Sequence, residues 1–97
     1  RQKTNSLKKI ASADVVVCQS RLAIALKYDP KTMSAPQVVC KAQGEMALQV
    51  LKLAKKHSIL IIENHGFAEK LYQTVALNQT INSELFASAA TIYKEIL

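Results

Sequence analysis

The apolar residues of this chain come in short unbroken runs, chiefly Val15-Val16-Val17-Cys18, Leu22 to Leu26 and Ile59-Leu60-Ile61-Ile62. Runs of that length are too short for helices and suit strands, and a strand that is apolar at successive positions has to be covered on both faces. The chain must therefore build a sheet and supply helices to cover it. With 97 residues there is material for one domain with a single fold and not for two. No run approaches the roughly 20 residues needed to cross a bilayer.

Along the chain, residues 1–12 are polar and basic, with Leu7 and Ile10 three apart, and read as a basic linker or short helix leading into a domain over residues 13–97. Val15 to Cys18 reads as a first strand, its β-branched residues favouring the extended state. Gln19, Ser20 and Arg21 interrupt the apolar pattern, and Leu22 to Tyr28 resumes it as a second strand, stopped by Asp29-Pro30. Pro30 and Pro36 bracket a connection, and Gln37 to Ala42 is the third strand. From Glu45 to about His57, Ala47, Leu48, Val50, Leu51, Leu53 and Ala54 make a broad apolar face while Lys52, Lys55 and Lys56 project elsewhere, the pattern of an amphipathic helix. Ile59 to Ile62 then predicts a central strand buried on both faces. Glu63-Asn64-His65-Gly66 reads as a turn opening a short helix over Phe67 to Thr74, followed by a loop over residues 76–80.

The last helix has an apparent start at Asn82. Its side chain is placed to cap the first free amides, Glu84 complements the helix dipole, and Ile81 is positioned to staple onto Phe86. Leu85, Ala89, Ile92 and Ile96, joined by Phe86, Ala90, Tyr93 and Leu97, recur at helical spacing. Strands first, then strand alternating with helices, predict a small α/β fold with a four-stranded sheet surrounded by helices.

Thirteen basic against seven acidic residues give a net charge of +6, which suits nucleic acid, an anionic membrane surface or acidic proteins. Arg1, Lys3, Lys8 and Lys9 form one cluster, such as follows a membrane segment on its cytoplasmic side. Lys52, Lys55 and Lys56 form a second, a candidate basic face for a partner. The chain begins at Arg1 rather than Met and shows no apolar signal region, so it reads as an excised domain or processed product.

Catalytic chemistry finds little support in the residue pattern. Cys18 with His57 or His65 would be a conceivable nucleophile pair, but a cysteine inside a valine run reads first as a packed hydrophobe. Cys18 and Cys40 are expected as buried free thiols in a reducing compartment, because neither stands in a metal-binding spacing and nothing else suggests a disulfide-stapled domain. The two histidines form no recognisable ligand set, the two glycines lie outside any phosphate-cradling loop, and no RNA-binding signature accompanies the lysines. No metal or cofactor is implied. Nucleic-acid binding rests on charge alone and is not expected.

Four segments in order, Ala13-Asp14-Val15-Val16-Val17, Ala23-Ile24-Ala25-Leu26-Lys27-Tyr28-Asp29, Ala35-Pro36-Gln37-Val38-Val39 and Ile62-Glu63-Asn64 running on through Ala68, Leu71 and Tyr72, resemble the cytoplasmic domain of the FlhB/YscU type III secretion export-switch family. The ending from Ile81-Asn82-Ser83-Glu84-Leu85-Phe86 is similar too, so the resemblance covers about residues 8–97. It implies a domain at the cytoplasmic face of a bacterial inner membrane, attached to a membrane portion upstream. Its expected partners are other export-apparatus proteins and secreted substrates or their chaperones, and it takes part in choosing the substrate class, in either a flagellar or an injectisome system.

Typical members of that family carry Asn-Pro-Thr-His between the first two strands and cut the Asn-Pro bond by cyclisation of the asparagine. Here Cys18-Gln19-Ser20-Arg21 stands in that region, with one residue fewer, and neither Asn nor Pro occurs from Ala11 to Asp29. Succinimide closure needs a side-chain amide one methylene from the α-carbon, which Cys18 lacks, and Gln19 would need a slower six-membered closure. Ser20 has no base assigned beside it, since Arg21 takes the histidine's place and stays protonated. The expectation is a non-enzymatic interaction domain that does not cut itself. Residual self-cleavage through Ser20 or Gln19, and a basic nucleic-acid-binding module, are the alternatives.

Overall fold

In the computed structural model, which describes residues 7–96, Val15, Val16 and Val17 are each fully buried, although successive side chains in a strand point to opposite faces. Cover on both faces comes from one helix on one side and two on the other. Strands β1 (Val15–Gln19) and β2 (Leu22–Lys27) form an antiparallel hairpin, and β3 (Gln37–Gln43) continues antiparallel beside β2. Strand β4 (Leu60–Glu63) lies parallel to β1, giving the order β3-β2-β1-β4. Helix α1 (Glu45–Lys56) covers one face; α2 (His65–Thr74) and α3 (Phe86–Ile96) cover the other. The α/β architecture with a four-stranded sheet and surrounding helices is the one the patterning predicts.

Two apolar layers result. Val15, Val17, Ile24, Leu26 and Val38 meet Phe67, Ala68 and Leu71 of α2 and Leu85, Ala89 and Ile92 at the C-terminal end. Behind the sheet, Val16, Ala23, Ala25 and Cys40 meet Ala47, Val50 and Ala54 of α1, together with Ile10 from a short 3-10 turn at Lys9–Ser12. The register shifts between Ala25 and Leu26, and Val39 and Cys40 both join the α1 layer. Each fully buried large aliphatic side chain contributes about 1.5–3 kcal/mol, against about 0.5–1.5 kcal/mol for a typical hydrogen bond, so these layers dominate the stability.

Several local expectations need correction. Strand β4 is an edge strand and not a central one: Leu60 is 44% exposed and Ile61 and Ile62 are only partly covered. Its apolar run is shared between the α1 layer (Ile59, Ile61) and the α2 layer (Ile62), and nothing in composition says which strands stand outside it. Helix α2 starts at His65, earlier than Phe67, because Asn64 Oδ1 accepts the Phe67 N–H at 3.1 Å and caps it. Asn82 does not cap with its side chain: Nδ2 donates to Thr74 Oγ1 at 3.3 Å, and the helix opens instead through a 3-10 turn at Ser83–Leu85. Ile81 is buried in the core, whereas Phe86, its expected staple partner, is 48% exposed. Ala90 also faces outward, leaving Leu85, Ala89, Ile92 and Tyr93 as the packed stripe. Cys40 is a buried free thiol as expected, whereas Cys18 is free but only partly buried. Of the basic N-terminal stretch, Arg1 and Lys3 lie outside the described residues; Lys8 and Lys9 are exposed. Among the described residues no helix is long and apolar enough to cross a membrane.

Candidate functional site

Two places concentrate chemistry or accessible apolar surface. The first is the β1–β2 connection. Gln19 pairs with Leu22, so Ser20 and Arg21 alone make the turn. Neither has positive φ, so the turn is not of the primed types that two-residue hairpins favour. It is held instead by side-chain and backbone ties: Gln19 Oε1 accepts from Ser20 Oγ at 3.1 Å and from the Arg21 N–H at 3.4 Å. The Arg21 carbonyl accepts the Gly44 N–H at 3.0 Å, tying the turn to the start of α1. Gly44 sits at φ 65°, ψ −135°, a conformation that side chains with a Cβ resist.

Within this connection the polar groups face one another rather than a catalytic partner. The Ser20 hydroxyl donates to the amide oxygen of Gln19, and among the described residues no imidazole or carboxylate is hydrogen-bonded to it. Cys18 lies in the strand, its carbonyl accepting the Asn64 N–H at 2.9 Å. Burial, and then the nearby Glu63 carboxylate, push its thiol above the ordinary value, which lowers its nucleophilicity at neutral pH. Cys18 shares no hydrogen bond with His57 or His65 among the described residues. Among those residues no three His, Cys, Asp or Glu side chains converge on a metal position either. A depression of about 240 Å³ lies beside the turn, lined by Ser20, Arg21, Gly44, Glu45 and Leu48. Lys52, Lys55 and Lys56 are exposed along α1, as its amphipathic pattern requires, and among the described residues no hydrogen bond joins them to the Gln19 to Arg21 turn.

The second place was not apparent from the sequence. A groove of about 170 Å³ runs between the β2–β3 connection and α3, lined by Tyr28, Ala35, Pro36, Phe86, Ala90 and Tyr93, with Ser34 and Ala89 completing it. Its floor is fixed by Asp14: one carboxylate oxygen accepts the Tyr28 N–H at 2.6 Å and the Tyr93 O–H at 3.4 Å. The Tyr28 and Tyr93 rings meet edge to face at 5.5 Å. Burial, and then the Asp14 charge and hydrogen bond, hold the Tyr93 hydroxyl well above the usual phenol range, so it stays a neutral donor. The rim is apolar and open, with Phe86 half exposed beside Ala90. Only the outward Phe86 and Ala90, at positions the helical repeat assigns to the core, hint at it in the sequence.

Comparison with known proteins follows this geometry closely. The family model described as "FlhB HrpN YscU SpaS Family" matches residues 1–96. The chain is 37% identical over 89% of its length to the flagellar biosynthetic protein FlhB of Bacillus subtilis, and 37% identical over 92% of its length to that of Borreliella burgdorferi. It spans about a quarter of those proteins, 24% of each. Among solved structures, the cytoplasmic domain of FlhB from Shewanella putrefaciens superimposes with a TM-score of 0.91 at 29% identity, covering 95% of this chain and 71% of that one. A mutated C-terminal domain of EscU gives 0.91 at 27% identity over 99% of this chain and 89% of that one. With its sheet order, its helices and nearly its whole length accounted for, the chain belongs to the FlhB/HrpN/YscU/SpaS family and has the fold of that family's cytoplasmic domain.

Proposed function

We propose that this chain acts as the cytoplasmic domain of a bacterial type III export-apparatus protein, flagellar or injectisome, at the cytoplasmic face of the inner membrane. In this reading it binds other export proteins, secreted substrates or their chaperones, contributes to selecting the substrate class, and does so as an uncut chain without enzymatic activity. The observation that carries the binding role is the Tyr28–Pro36–Phe86–Tyr93 groove. It is apolar, open, and held at its base by the Asp14 contacts, so it is formed before any partner arrives. Such a concavity suits one or two large apolar side chains from an extended or helical segment. The uncut state is supported by the Ser20–Arg21 turn, whose hydroxyl and amide groups satisfy one another.

The test is binding of the purified domain to purified export substrates of the same bacterium, read by titration calorimetry. Phe86→Asp and Ala90→Glu, each checked for native circular dichroism, are expected to weaken binding at least about tenfold, that is about 1.4 kcal/mol. Unchanged affinity in both folded variants would remove the groove from the mechanism.

A further inference from the structure

The two edges of the sheet are treated differently. At the β3 edge the chain covers the start of the strand: Val38 donates its N–H to the Gln79 carbonyl at 2.9 Å and accepts the Asn78 N–H at 2.7 Å, and Gln37 bridges to Thr80. At the β4 edge, among the described residues, no segment pairs beyond the strand. Asn64 directs its N–H to the Cys18 carbonyl of β1. By strand alternation Leu60 and Ile62 also face β1, so Ile61 and Glu63 present their N–H and C=O groups outward. This edge is protected only by its four-residue length and the Glu63 charge. It contains no lysine, no proline and no bulge, and Leu60 is 44% exposed on it.

We infer that the outer edge of β4 accepts an extended acidic peptide segment of a partner protein as a fifth strand. The backbone groups of Ile61 and Glu63 supply the pairing, and Leu60 and Ile62 supply apolar contact for alternate side chains. Charge selects the occupant. Lys55, Lys56 and His57 are exposed upstream of the strand, separated from Leu60 by Ser58 and Ile59, while Glu63 closes its other end. An incoming strand running antiparallel to β4 therefore has its acidic residues favoured at its C-terminal end and disfavoured opposite Glu63. A second copy of this chain is disfavoured there, because each copy carries a net charge of +6. This surface lies apart from the Phe86 groove and does not depend on it.

The experiment uses a synthetic probe of alternating Thr and Val ending in two glutamates, with binding read by fluorescence anisotropy. Three companion probes are measured: one ending in two lysines, and two N-methylated on alternate amides along one edge or the other. The acidic probe is expected to bind, to weaken with added salt, and to lose at least about tenfold affinity when one of its two edges is methylated but not when the other is. Ile61→Pro, which removes an N–H that points outward and not toward β1, together with the Ile61 side chain's packing on the α1 layer, is expected to abolish binding, and Phe86→Asp to leave it intact. If Ile61→Pro fails to fold, the two methylated probes decide. Equal binding of both methylated probes, binding as tight by the lysine-ended probe, or no binding at all overturns the inference. So does a concentration-dependent dimer in sedimentation that the acidic probe cannot dissociate, which would give the edge to a second copy.

Discussion

Asp14 sits at the foot of β1 and joins three parts of the chain that are far apart in sequence, through the Tyr28 N–H at the end of β2 and the Tyr93 hydroxyl on α3. Removing an acceptor from partly buried donors costs about 1–3 kcal/mol, because the orphaned groups keep their desolvation penalty. Asp14→Ala is therefore expected to lower the unfolding free energy by about that amount in urea titrations, and to weaken partner binding at the groove whose floor it fixes. A second consequence concerns alkaline pH. Burial pushes the Cys40 thiol up to about 11, and Tyr93 is raised further. A thiol with a raised folded pKa costs nothing while protonated in both states; once pH passes its ordinary value of 9.0 the unfolded chain alone ionises. Stability should thus be level near neutrality and fall between about pH 9 and 11. Cys40→Val should make that fall shallower in pH-dependent urea midpoints; an unchanged fall would remove Cys40 as a cause. At neutral pH a thiol reagent should reach Cys18 before Cys40, which is buried.

Helix α2 is the element whose loss would do most harm on the groove side, because Phe67, Ala68 and Leu71 pack directly on β1 and β2. Leu71 is fully buried, and Leu71→Ala should cost about 2–5 kcal/mol, checked by urea unfolding. A cost below about 1 kcal/mol would mean that α2 is not fixed on the sheet as described. The start of this helix depends on Asn64, and Asn64→Ala should cost about 1 kcal/mol more locally than a surface substitution. Elements such as β1, β2 and α1 are legible in the sequence for a simple reason: burial on two faces writes itself as an unbroken apolar run, and one wet helix face writes itself as spaced lysines. The position of β4 is not legible, because an edge strand with apolar side chains has the composition of a central one. The groove is hidden for a related reason. Its walls come from residues 28–36 and from α3, and Phe86 and Ala90 look like core at helical spacing although they face outward. The Cys18 to Arg21 region was identified through its departure from a family pattern; its turn geometry, with Gln19 as the acceptor of two hydrogen bonds, emerges only from the fold.

Taken whole, the molecule is a sandwich with a tight hairpin at one end, a basic helix on one side and an apolar groove on the other. The hairpin bears on whether the chain stays in one piece. The family resemblance implies self-cleavage at an asparagine followed by proline in this turn; here the turn has Gln19, Ser20 and Arg21, and the Gln19 side chain accepts from the Ser20 hydroxyl and the Arg21 N–H. On the proposed uncut state β1 and β2 stay covalently joined, which leaves binding surfaces and not strand release as the proposed means of selection. The most direct test is intact-mass spectrometry of the purified domain, under denaturing conditions, after prolonged incubation at neutral pH. A chain in which Asn-Pro-Thr-His replaces the Gln19 to Arg21 turn serves as the cleaving control. The expected result is a single full-length species for the natural chain; two fragments meeting between Val17 and Leu22 would contradict it.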